Sequence, residues 1–113
     1  MSETPGLSHA VYFTLKQPTD ANRTALVESC RKYLADHPGL VHFSAGLRGK
    51  SYQRPVNDQQ FDVALTLVFA TEADHERYQV SPAHKQFLAE NSTGWAQVRV
   101  FDALIDGLAE QTA

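Results

Sequence analysis

Three residues of this 113-residue chain combine chemistry with placement: His9, Tyr78 and His84. His9 shares a period-two face with Val11, Phe13 and Leu15, so its imidazole points to the same side as three apolar chains. His84 stands with Phe87 and Leu88 at i, i+3 and i+4, on the inward stripe of a helix. Tyr78 precedes His84 by six residues, across the break Val80-Ser81-Pro82, close enough for its ring to approach the same place. Two imidazoles and a phenol meeting in an apolar cavity make a general acid/base site. An imidazole titrates near neutrality, and a phenol donates to an oxygen that gains charge. The same three groups also suit a plainer role as hydrogen-bonded polar residues at a core edge. The pattern calls for no metal and no cofactor, because the two histidines have no firm carboxylate partner in the sequence.

The remaining candidates have simpler readings. His37, before Pro38-Gly39, suits a helix C-terminus, and His42 suits an interface. His75, between Asp74 and Glu76, reads as a solvated turn residue. Cys30 falls in an apolar helical stripe and reads as a buried structural thiol. Gly46 to Ser51 ends like a phosphate-binding loop, but the required first glycine is Ser44 and no helix pattern follows.

The elements that must hold these residues follow from periodicity. A strand covers His9–Lys16, and Thr19-Asp20 opens a helix with Leu26, Cys30, Tyr33 and Leu34 on one face. His37-Pro38-Gly39 ends it, and a second strand runs from Leu40 to Leu47 or Arg48. Residues 49–60 read as a long polar loop. Phe61–Phe69 alternates most clearly, with Phe61, Val63, Leu65, Leu67 and Phe69 on one face and Asp62 on the other. Thr71 with Asp74 caps a short helix to about Tyr78, and Ser81-Pro82 starts another that reaches about Glu90. A last strand spans about Trp95–Asp102. The order β-α-β-β-(αα)-β predicts an α+β fold of the split βαβ, ferredoxin-like type: a four-stranded antiparallel sheet with helices on one face. The uncovered face would carry Ala10, Tyr12, His42, Ala64, Thr66 and Val68, apolar enough to predict a homodimer through that open sheet face.

Composition narrows the class. Ten Lys+Arg against thirteen Asp+Glu give a net charge of -3, which argues against a nucleic-acid binder. The charge is uneven: residues 1–56 carry +3 and residues 57–113 carry -6, so the two parts attract. One cysteine excludes an intramolecular disulfide framework, and no stretch approaches the length of a membrane span. The expectation is one cytoplasmic domain over residues 8–104, between a flexible N-terminus (1–7) and a C-terminal tail (105–113).

An ordered set of residues resembles a known family. His9-Ala-Val-Tyr-Phe-Thr-Leu-Lys16, His37-Pro-Gly-Leu-Val, Phe43, Gly46, Asp62-Val-Ala-Leu, Phe69, Tyr78, Pro82-Ala-His84 and Val100-Phe-Asp102 together are similar to the stress-responsive A/B-barrel family, over about residues 8–104. The resemblance implies a dimeric ferredoxin-like α+β barrel, usually without an established activity. It also implies a distant likeness to plant polyketide cyclases of the olivetolic-acid type, whose tyrosine, second histidine and N-terminal-strand histidine would fall on Tyr78, His84 and His9. Those enzymes have a further histidine where this chain has Ser81. The expected function is binding or conversion of a small hydrophobic or aromatic, polyketide-like compound between sheet and helices. The alternatives are a non-catalytic structural or interaction module, and a cofactor-independent monooxygenase or isomerase, since related barrels host several chemistries.

Overall fold

A computed structural model describes residues 5–106; residues 1–4 and 107–113, which hold most of the expected flexible N-terminus and tail, lie outside it. The elements are β1 (Gly6–Leu15), α1 (Asp20–Leu34), β2 (Leu40–Leu47), β3 (Val63–Phe69), α2 (Glu72–Gln79), α3 (Pro82–Asn91), a 3-10 turn (Ser92–Gly94) and β4 (Trp95–Ile105). The strands form one antiparallel sheet in the order β2-β3-β1-β4, with the helices on one face. Among the described residues no helix is long and apolar enough to cross a membrane.

The expected barrel is corrected by this topology. β2 and β4 are the two edges of the sheet, separated by β3 and β1, and the sheet is not closed. Four strands are too few to curl round so that the edges meet about a filled interior. The architecture is an open ferredoxin-like sheet with one helical layer.

Alternation along β1 and β3 builds the core. Val11, Phe13, Leu65, Leu67 and Phe69 point to the helices and meet Leu26, Cys30 and Leu34, spaced four residues apart along α1. Each such side chain contributes roughly 1.5–3 kcal/mol by leaving water. Cys30 is fully buried, and burial pushes its thiol up to about 12, which leaves it inert.

Two local departures from simple alternation matter. A bulge between Leu40 and His42 shifts the β2 register, so Leu40, Phe43 and Ala45 face the helices while Val41 is exposed. Before β3 the chain leaves the ladder, and Phe61 and Asp62 exchange the sides that alternation gives them. Phe61 packs on Tyr12 of the outer face, ring centroids 5.0 Å apart. Asp62 turns inward, where it accepts from the Leu15 backbone N–H (2.8 Å) and from Arg23 Nε (3.2 Å).

Gly39 joins α1 to β2 at φ +84°, a left-handed conformation that costs glycine little. A Cβ there would fall inside the Asp74 side chain, so the turn and the first turn of α2 pack directly together. That contact seats α2, which carries two groups of the site.

Candidate functional site

His9 lies midway along central strand β1, opposite Leu67 of β3 and Asp102 of β4. Directly opposed residues on an antiparallel pair are close enough for a short carboxylate to reach an imidazole. Asp102 Oδ1 lies 2.5 Å from His9 Nδ1. The carboxylate that the sequence withholds from the histidines is therefore supplied by β4.

The helix caps place the other groups. Thr71 accepts from the Asp74 backbone N–H (3.2 Å) and starts α2, so that His75 and Tyr78, at i and i+3, share its inward face. His75 is 5% exposed, against the expectation of a solvated residue, and its Nε2 lies 3.2 Å from His9 Nδ1. Ser81 accepts from the His84 backbone N–H (3.2 Å) with Pro82 behind it, which sets His84 in the first turn of α3. Tyr78, 2% exposed, is the hub: its ring centroid lies 4.8 Å from that of His84, 5.9 Å from His9, 5.6 Å from His37 and 6.2 Å from His75. The structure thus gathers His9, Tyr78 and His84 and adds His75, Asp102 and His37. His37 lies beyond the end of α1 and not in its last turn. Spacing held one signal for His75, three residues before Tyr78 on a capped helix. Asp102 needed the β1–β4 register.

The electrostatics follow from burial. His84 is held below its usual value, first by burial and then by the neighbouring His9, with a hydrogen bond to the Gln79 backbone pushing the other way. His75 is lowered by burial and by His9, against the pull of Asp102. The Tyr78 phenol is raised well above its ordinary value, chiefly by burial, so it stays protonated. His84 Nδ1 is buried without a hydrogen-bond partner.

These shifts predict a pH profile. Both histidines titrate below their unfolded value of about 6.5. The unfolded chain takes up these protons first, so the stability they confer is complete above that value and is lost as pH falls through the folded values. Urea midpoints should fall between pH 7.5 and pH 5.5 in wild type and fall less in His84→Gln. An identical decline in both proteins contradicts the assignment for His84.

Two cavities lie elsewhere. One of about 510 Å³ sits on the open sheet face beneath the 48–62 loop, lined by Tyr12, Phe61 and Phe101 with Arg48 and Arg99. Another of about 340 Å³ sits at the end of the helical layer, beside Leu26 and Trp95. Neither is lined by His9, Tyr78 or His84.

Fold and sequence together place the chain in a family. It belongs to the stress-responsive A/B barrel domain (Dabb) family, whose model matches residues 7–105. Among solved structures it is similar to a Dabb-family protein with a ferredoxin-like fold from Mesorhizobium loti (22% identity, TM-score 0.75, covering 92% of this chain and 100% of that one). It is similar also to a dimeric ferredoxin-like protein of unknown function from Thermobifida fusca (18% identity, TM-score 0.76, 93% and 95% covered). A third is a hydroxynitrile lyase from Passiflora edulis (16% identity, TM-score 0.72, 94% and 98% covered). At these identities the likeness shows the fold alone. No curated protein matches the chain.

Proposed function

We infer that the chain binds a small hydrophobic or aromatic keto compound and moves a proton on it with His84 and Tyr78. The observation that carries this reading is the partnerless Nδ1 of His84 beside the Tyr78 ring. An unsatisfied buried nitrogen costs about 1–3 kcal/mol, a cost that a bound ligand relieves. In the tautomer that carries its proton on Nε2, the His84 lone pair falls on the partnerless Nδ1. A neutral imidazole there takes a proton from carbon next to a carbonyl, and the Tyr78 hydroxyl donates to the enolate oxygen that forms. His9, its Nδ1 held by Asp102, borders the same space. That two solved relatives of this fold are a hydroxynitrile lyase and a dimeric protein supports small-molecule chemistry in a dimer without fixing the substrate. The test is deuterium incorporation from D2O into an aryl 1,3-diketone such as benzoylacetone, followed by NMR: exchange above the buffer rate supports the reading, and exchange at the buffer rate contradicts it.

A non-catalytic module is the second reading, favoured by the burial of Tyr78 and by the position of both cavities away from it.

The homodimer belongs to the same proposal. On the open face Tyr12 packs edge-on to Phe101, which stays 55% exposed, beside partly exposed Ala64, Thr66 and Val68. A partner sheet covers such a face over roughly 1,000 Å² or more. Sedimentation equilibrium at micromolar concentration should give twice the 12.5 kDa chain mass. A single species at the chain mass rejects the dimer.

A further inference from the structure

The proton count between β1, α2 and β4 does not close. His9 Nδ1 lies 2.5 Å from Asp102 Oδ1 and 3.2 Å from His75 Nε2, and His75 Nε2 lies 4.0 Å from Asp102 Oδ1. A neutral imidazole has one N–H and one lone pair, and a carboxylate only accepts. If His9 donates to Asp102, His75 Nε2 meets the same hydrogen as a second acceptor. If His75 donates to His9 instead, the Asp102 oxygen faces a bare lone pair at 2.5 Å. Either way three atoms with lone pairs share one proton, in a place where two of the residues are buried.

A cation in place of that proton satisfies all three. Zinc-to-nitrogen and zinc-to-carboxylate bonds are about 2.1 Å, so two ligand atoms on one ion stand at most about 4.2 Å apart. All three separations lie within that limit. A tetrahedral site spaces its ligand atoms by about 3.4 Å, so the His9–Asp102 pair must open by about 1 Å, the His75–Asp102 pair must close by about 0.6 Å and the His9–His75 pair is nearly in place. Two ligands sit on rigid supports, the centre of a central strand and the inward face of a capped helix. Asp102, its side chain 41% exposed, opens the group to solvent and gives an ion a way in.

We propose that His9, His75 and Asp102 bind one divalent transition-metal ion of the zinc type, leaving an open position for an oxygen donor such as water, a carboxylate or an enolate. Neither Tyr78 nor His84 is a ligand, so this site stands or falls apart from the proton-transfer reading.

The test uses the full chain stripped with EDTA and titrated with zinc chloride by calorimetry. The expected result is one ion per chain at micromolar affinity or tighter, with the imidazole ¹⁵N signals of His9 and His75 shifting together. His75→Ala and Asp102→Ala should each weaken binding beyond the roughly 10–100-fold that loss of an outer partner costs. His42→Ala, on the exposed edge strand, should bind as wild type does. Absence of zinc binding overturns the proposal, as does full affinity in both ligand variants. Should either variant fail to fold, the wild-type spectra decide: shifts confined to other histidines overturn it. Deuterium exchange that persists in EDTA without zinc binding removes the metal and keeps the proton-transfer reading. Zinc binding beside an unaffected Tyr78→Phe does the reverse.

Discussion

Tyr78→Phe should slow deuterium exchange into a diketone by about 10²-fold or more, with a urea midpoint close to that of wild type. The substitution removes one oxygen and keeps the ring, so the contacts with Phe69 (5.2 Å between centroids) and His84 (4.8 Å) survive. What is lost is the donor to the oxygen that gains charge. His84→Gln should lose exchange as well, since glutamine keeps a hydrogen bond and cannot carry the proton. Unchanged exchange in Tyr78→Phe takes the phenol out of the mechanism, and a collapse of stability there assigns it to packing.

The second large effect concerns folding. Asp62→Ala should cost about 3–5 kcal/mol, a large share of the 5–15 kcal/mol that holds a domain of this size. Asp62 and Arg23 are an inward-facing ion pair, their side chains 7% and 17% exposed, and the carboxylate also caps the Leu15 backbone N–H. That N–H stands where the β1–β4 register slips between Thr14 and Leu15, so no ordinary strand partner takes over. Truncation leaves the Leu15 amide and Arg23 Nε without their acceptor, while Arg23 keeps only the exposed Asp20 carboxylate at 3.0 Å. Asp62→Asn, which retains the shape, should cost less. Arg23→Met combined with Asp62→Leu should recover part of the loss, because paired removal leaves no orphan charge. Chemical denaturation measures all of these, and a loss under about 1 kcal/mol for Asp62→Ala would show the pair to be effectively solvated.

What alternation and caps govern was legible in the sequence. The β1 alternation, the Thr71 and Ser81 caps and the Leu26-Cys30-Leu34 stripe put His9, Tyr78 and His84 on elements that face one another. Features set by pairing were not. The β2 bulge exposes Val41, and the break before β3 turns Asp62 in and Phe61 out, because each depends on a neighbouring strand and not on local period. His75 was hidden by its neighbours: Asp74 and Glu76 make a short window look solvated, while the helix turns His75 to the sheet together with Tyr78. Asp102 meets His9 only because β4 returns beside β1. Barrel closure failed for the same reason, since the number and order of strands decide it and no single strand shows either.

The central claim is that a small keto compound is held at Tyr78 and His84. The most direct measurement maps, by two-dimensional NMR of aromatic and imidazole signals, where benzoylacetone perturbs the protein. The account predicts saturable shifts of Tyr78 and His84, with Tyr12, Tyr52 and Phe101 unmoved. Shifts confined to those last three residues would move binding to the 510 Å³ cavity on the open sheet face and contradict it.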